Sequence, residues 1–160
     1  MLDIHSHILP AVDDGAEDLD EALKILEMMQ KDGITDVIAT PHFYADSDNL
    51  NDFKTRTEKA YKTLCSAADG KNLPRVFLGC EVLYYRYIGT SEAVTEFCLN
   101  GSNYLLLELV NDCITDSFFE NLYLTNHTVF QHCHVVEKVE GLEHHTNMAA
   151  VFRCIDFACC

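Results

Sequence analysis

Leu2-Asp3-Ile4-His5-Ser6-His7 decides how the chain is read. As a strand, this segment sends successive side chains to opposite faces. His5 and His7 then project the same way with Cα atoms about 6–7 Å apart, close enough for both imidazoles to reach one cation. That is a ligand pattern and not a lone histidine. Asp13-Asp14-Gly15 follows, Thr40-Pro41-His42 ends a second apolar run, Gly79-Cys80-Glu81 belongs to a third and Leu106-Leu107-Glu108 to a fourth. Candidate ligands therefore stand at or near the C-terminal ends of strand-like segments, where barrels and open α/β sheets carry their chemistry.

The segments between these runs read as helices. Asp18 offers an N-cap with Glu21 three positions on, and Leu19, Ala22, Leu23, Leu26 and Met29 repeat at helical spacing as far as Gly33, a natural C-terminal stop. Ile34 to Thr40 reads as a mostly buried strand stopped by Pro41. A second helix is predicted from about Asn51 to Ala68, with Phe53, Thr57, Ala60, Tyr61, Leu64 and Ala68 on its inner face. After a turn at 69–74, Val76 to Val82 reads as the third strand, a short helical piece spans about Glu92 to Leu99, and Tyr104 to Leu109 is the fourth strand. This alternation predicts parallel βα units. Residues 1–125 are read as the core of one domain and 126–160 as its diverged remainder.

Composition narrows the function. The 160 residues suit one domain but are short for a complete eight-fold barrel. With 48% apolar and 23% charged residues the chain is globular in character. A net charge of −15 without a basic stripe argues against a nucleic-acid partner, and an anionic substrate would need cations at the site. No apolar run is long enough to cross a membrane and no signal-peptide pattern opens the chain, so it is read as cytoplasmic without membrane insertion. Cys65, Cys80, Cys98 and Cys113 sit singly in apolar contexts and read as reduced core residues.

His5-Ser6-His7-Ile8-Leu9-Pro10, Asp13-Asp14-Gly15, Gly33-Ile34-Thr35 and Ile38-Ala39-Thr40-Pro41-His42 resemble, in order and spacing, the polymerase-and-histidinol-phosphatase (PHP) superfamily. More narrowly they resemble its bacterial manganese-dependent protein-tyrosine phosphatases, the branch tied to capsular and exopolysaccharide synthesis. Gly79-Cys80-Glu81 and Leu106-Leu107-Glu108 match that family's two glutamate-bearing strands. The resemblance implies an α/β fold, a distorted TIM-like (β/α) barrel of the PHP type, incomplete here at the C-terminus. It also implies two or three metal ions, usually manganese with iron or zinc as alternatives, and hydrolysis of phosphotyrosine in a partner protein, a bacterial tyrosine kinase. Carried over by motif, His5 and His7 would bind one metal, Glu81 would bridge two, Glu108 would serve a second and His42 a third. Asp14 is favoured over Asp13 for a catalytic place beside the cluster, and Arg86 and Lys138 are assigned to hold the phosphate.

The chemistry of the residues agrees with this family. Two or more divalent ions about 3.5–4 Å apart can clamp a phosphoryl group and acidify a water into a nucleophile. Mixed imidazole and carboxylate ligands suit manganese, iron or zinc better than a thiolate site would. No Cys-x5-Arg phosphate loop is read in the chain, which leaves metal-activated water as the nucleophile. Taken alone, His42 reads as readily as a structural hydrogen-bonding group, and Asp13 and Asp14 as a solvated turn. Phe43-Tyr44 and Tyr84-Tyr85-Arg86-Tyr87 are candidates for an aromatic and cationic rim receiving a phosphotyrosyl ring. A small-molecule phosphatase of the histidinol-phosphate kind would share these ligands, and a catalytically inactive metal-binding fragment is the reading from another class.

Beyond Glu108 the pattern decays. Asp116 to Tyr123 reads as the next helix and Val129 to Val136 as a strand carrying His134, the candidate sixth ligand, with His132 as competitor. Lys138 stands where the family has arginine, and Asp156-Phe157-Ala158 replaces the family's Asp-x-His. The tail therefore reads as truncated or frame-altered, and an open barrel edge invites a partner, a homo-oligomer included. A zinc site among His132, Cys133, His134, His144, His145, Cys154, Cys159 and Cys160 fits no standard spacing.

Overall fold

Apolar runs separated by capped helices give parallel strands, as the alternation predicts. The computed structural model describes residues 1–85, 88, 92–102, 104–109, 134–139 and 153–155, and the chain divides into two compact units, Met1–Cys80 and Glu81–Cys160. The first unit contains β1 (Leu2–Ser6), α1 (Leu19–Lys31), β2 (Asp36–Ala39), β3 (His42–Phe43), α2 (Leu50–Ala68) and β4 (Arg75–Leu78). Its sheet has the order β1-β2-β4, with both pairings parallel.

Local chemistry sets the helix ends. Asp18 caps α1 by accepting the Glu21 N–H at 2.8 Å, while the Glu21 carboxylate accepts the Glu17 N–H at 2.7 Å. At the other end the Gly33 N–H reaches Gln30 O and the Ile34 N–H reaches Met29 O, a Schellman closure that needs the left-handed backbone of Gly33, φ +82°. Asn49 caps α2 through the Asn51 and Asp52 N–H groups. Ala22 and Leu26 from α1, Leu64 from α2, Val37 and Ala39 from β2 and Val76 from β4 share one core with Ile8, Leu9 and Ala16. Leu26 and Leu64 are wholly buried, so Leu26→Ala or Leu64→Ala should each cost about 2–5 kcal/mol of unfolding free energy, read from denaturant midpoints.

The second unit contains β5 (Glu81–Leu83), β6 (Tyr104–Leu109), β7 (His134–Val139) and β8 (Arg153–Ile155), with 3-10 turns at Glu92–Phe97 and Leu99–Gly101. β5, β6 and β7 run parallel and β8 returns antiparallel to β7. Leu105, Leu106, Leu107 and Leu109 are buried on both faces of β6, the pattern of a covered parallel strand.

The third apolar run differs from its expected form. It is two strands and not one: β4 hydrogen-bonds to β2 and β5 to β6, with Gly79-Cys80 between them. The strand expected over Val129 to Val136 begins at His134, and residues 129–133 lie outside the described set. The expected helix at Asp116 to Tyr123, Cys113, the boundary near residue 125 and most of the tail's His and Cys residues also lie outside it. A mixed α/β fold with parallel strands is thus present, and no closed barrel is formed among the described residues. Cys65, Cys80 and Cys98 form no disulfide. Among the described residues no helix is long and apolar enough to cross a membrane.

Candidate metal centre

The histidines of the first unit converge because the end of β1 is irregular. Asp3 pairs with Val37 and Ser6 with Ala39, so β1 spends one residue more than β2 over this stretch, and the extra residue falls around Ile4 and His5. Bulges of this kind re-aim side chains beside functional sites. The Asp3 carboxylate accepts the His5 N–H at 3.0 Å, and Thr40 Oγ1 accepts the Ser6 N–H at 3.0 Å, which fastens the strand end. His5 Nε2 and His7 Nε2 come to 3.1 Å of each other. Two nitrogens about 2.1 Å from one ion, at angles between octahedral and tetrahedral, would be roughly 3.0–3.4 Å apart. The observed spacing fits two donors on one cation, and without a cation it is that of an N–H···N hydrogen bond between the rings.

His42, opening β3, stacks on His7 with ring centroids 4.4 Å apart, and Tyr44 stacks on His42 at 5.3 Å. His7, Asp14 and His42 each present a ligand atom within 4.8 Å of the other two. Asp14 and Asp13 are neighbours in sequence with opposite environments. The Asp14 side chain is 83% exposed with Oδ1 3.6 Å from His42 Nε2, whereas the Asp13 side chain is 6% exposed with Oδ2 2.8 Å from His7 Nδ1. Burial alone would raise the Asp13 carboxyl. The hydrogen bonds from His7 and from the Gly15 and His42 N–H groups outweigh it and hold that carboxyl below its ordinary value.

The loop between these residues is tightly closed. The Ala16 N–H donates to His7 O at 3.0 Å and the Ala11 N–H to Ala16 O at 2.9 Å, with Ala11 at φ +57°. Gly15 packs so closely that an added Cβ would overlap the His7 backbone. Sequence reasoning gave Gly15 no role beyond its motif, and the signal was present in the Asp-Asp-Gly triplet.

In the second unit Glu81 is fully buried at the start of β5, and Glu108 stands two register steps further along β6, opposite Leu83. One carboxylate oxygen of each lies within 4.8 Å of the other. His134 opens β7 level with Tyr104, while Lys138 is level with Glu108. His134 is therefore four residues, or about 13 Å along the strand, from the level of Glu108. Arg86 lies outside the described residues, as do Tyr87 and His132.

Two expectations need correction. Phe43 is not a rim residue: it is 4% exposed and packs edge-on against Phe53 at 5.1 Å, because alternation in β3 turns it inward while Tyr44 stays at the surface. The chain does contain a Cys-x5-Arg spacing, with five residues between Cys80 and Arg86. Cys80 is nonetheless 3% exposed and the described residues after it run straight into strand β5, so the thiol is not presented as a cysteine nucleophile needs.

Comparison with known proteins agrees with this arrangement. Residues 1–154 match the family model described as capsular polysaccharide synthesis, CpsB/CapC. The chain is 31% identical over 114 residues to the tyrosine-protein phosphatase YwqE of Bacillus subtilis, covering 70% of this chain and 44% of that protein. It is 50% identical over 42 residues to the putative tyrosine-protein phosphatase CapC of Staphylococcus aureus, covering 26% of this chain and 16% of CapC. A chain from the crystal structures of YwqE from B. subtilis and CpsB from Streptococcus pneumoniae, described as unique metal-dependent tyrosine phosphatases, is similar with a TM-score of 0.57 and 26% identity over 78% of this chain and 52% of that one. The matches thus span less than half of these curated relatives and about half of the solved chain.

Proposed function

The chain belongs to the capsular polysaccharide synthesis CpsB/CapC family, and from that premise we propose that it is a metal-dependent phosphoric monoester hydrolase acting on phosphotyrosine. Its substrate would be a phosphotyrosine protein, a bacterial tyrosine kinase of polysaccharide synthesis, in the cytoplasm. The observation that carries this reading is the pair of imidazole nitrogens 3.1 Å apart, with His42 stacked alongside and the Asp14 carboxylate in reach. We propose His5, His7, His42, Glu81 and Glu108 as ligands to manganese, within the distorted barrel that the family's fold implies. His134 is left out of this set because its strand position is remote from that of Glu108.

The donor set is imidazole nitrogen and carboxylate oxygen, which suits manganese, iron or zinc. Bound divalent cations would supply charge neutralisation on the phosphoryl group and a water acidic enough to attack phosphorus. His5 and His7 offer nitrogen donors from a strand end whose backbone N–H groups are held by the Asp3 carboxylate and Thr40 Oγ1, so they need little rearrangement on binding. Tyr44, lying flat on His42 and partly exposed, suits an aryl group entering beside the cluster. Its loop is braced: Asp48 accepts the Tyr44 N–H at 3.0 Å and an Arg56 N–H at 2.7 Å. Lys138, level with Glu108 in the β6–β7 register, and Arg86 are proposed for the phosphate.

The test is hydrolysis of a tyrosyl phosphopeptide and of histidinol phosphate by the full chain, with manganese and with a chelator. Manganese-dependent turnover favouring the phosphopeptide is expected. Preference for histidinol phosphate would replace the substrate class, and bound metal without turnover of either would remove the enzymatic reading.

A further inference from the structure

Asp13 gathers hydrogen bonds from two segments that supply proposed ligands. Its Oδ2 accepts from His7 Nδ1 at 2.8 Å and from the His42 backbone N–H at 3.2 Å, while Oδ1 accepts the Gly15 N–H at 3.1 Å. With the side chain 6% exposed, water competes little for these bonds. An ionised carboxylate can only accept, so the hydrogen in the short contact to His7 belongs to Nδ1. In a neutral imidazole the other nitrogen then carries a bare lone pair. That nitrogen is Nε2, the atom 3.1 Å from His5 Nε2.

We infer that Asp13 is a positioning residue: it fixes His7 in the Nδ1–H form so that Nε2 is the donor atom for a cation, and it ties the His42 backbone to the same carboxylate. A ligand histidine whose second nitrogen is held by a carboxylate has its orientation set before the metal arrives, and its basicity raised. The inference rests on the reading of His7 as a metal ligand, while the tautomer itself can be measured without metal or substrate.

Asp13→Asn tests this role, with the ring tautomer as the readout that loop shaping alone would not move. The asparagine Oδ1 can still accept the Gly15 N–H, but the amide NH2 replaces the oxygen that faces both His7 Nδ1 and the His42 N–H: it donates to the first, which moves the ring hydrogen to Nε2, and it leaves the second without its acceptor. The experiment is a long-range proton–nitrogen correlation spectrum of the nitrogen-15-labelled, metal-free full chain, together with a Mn²⁺ titration of wild type and variant. Wild-type His7 in the Nδ1–H form, with Mn²⁺ affinity reduced about 10–100-fold in Asp13→Asn, is expected. Wild-type His7 in the Nε2–H form, or an undiminished affinity in the variant, would overturn the inference. If Asp13→Asn does not fold, the wild-type tautomer still decides. Failure to hydrolyse the phosphopeptide, with both of these results intact, would sink the proposed reaction and leave the role of Asp13 standing.

Discussion

Glu81→Gln should abolish manganese-dependent turnover, by about 100-fold or more, while leaving the metal-free chain about as stable as wild type. The side chain is fully buried. Without a cation a carboxyl in such a place is protonated or held by partners, and an amide of the same shape then changes the stability of the fold little. With a cation the difference appears: a ligand present at 100 times its dissociation constant stabilises the folded state by about 2.7 kcal/mol, or roughly 5–10 °C in Tm for a chain of this size. Wild type should gain that increment on adding Mn²⁺ and Glu81→Gln should lose most of it. Paired thermal scans in chelator and in Mn²⁺ check this, and an equal manganese shift in both proteins would remove Glu81 from the ligand set.

The features legible in the sequence are those that depend on neighbours along the chain. α1 could be read from cap to stop because Asp18, Glu21 and Gly33 each act within one helical turn, and β6 because Tyr104 to Leu109 is uniformly apolar but for one glutamate. What was not legible depends on partners distant in sequence. The continuous apolar run from Val76 to Val82 carries no sign that its halves bond to different strands, since hydrophobicity does not specify a hydrogen-bond partner. Asp13 and Asp14 are chemically identical, and only the closure of the loop onto His7 decides which is buried and which stays in water. The convergence of His5 and His7 follows from alternation in outline, yet the extra residue in β1 belongs to its pairing with β2 and not to the His-x-His pattern itself. The same holds for His134: the motif places it near a strand's C-terminal end, and the register with β6 puts it at the start of β7.

Gly15→Ala is the second large effect, and it acts on His7 through the backbone. A Cβ at residue 15 would overlap the His7 carbonyl oxygen and lie 2.5 Å from His7 Cβ. The obstructing atoms are main chain or the first side-chain carbon, so no rotamer change relieves the clash. The loop cannot retreat freely either, because the His7 carbonyl accepts the Ala16 N–H and Ala16 is fully buried in the core. Something in the His7–Ala16 closure must give, at a cost of about 1–3 kcal/mol, as for other overpacked positions. His7 would leave the position that brings its Nε2 to His5, and Mn²⁺ affinity should fall by about 10–100-fold. Gly33→Ala supplies the control. Its φ of +82° makes alanine strained, by about 1–2 kcal/mol, but the space around it is open and the strain is confined to the end of α1. The two variants should therefore lose comparable stability in denaturant titrations while only Gly15→Ala loses metal affinity. Wild-type affinity in Gly15→Ala would mean that the tight closure of the loop is not what holds His7 in place.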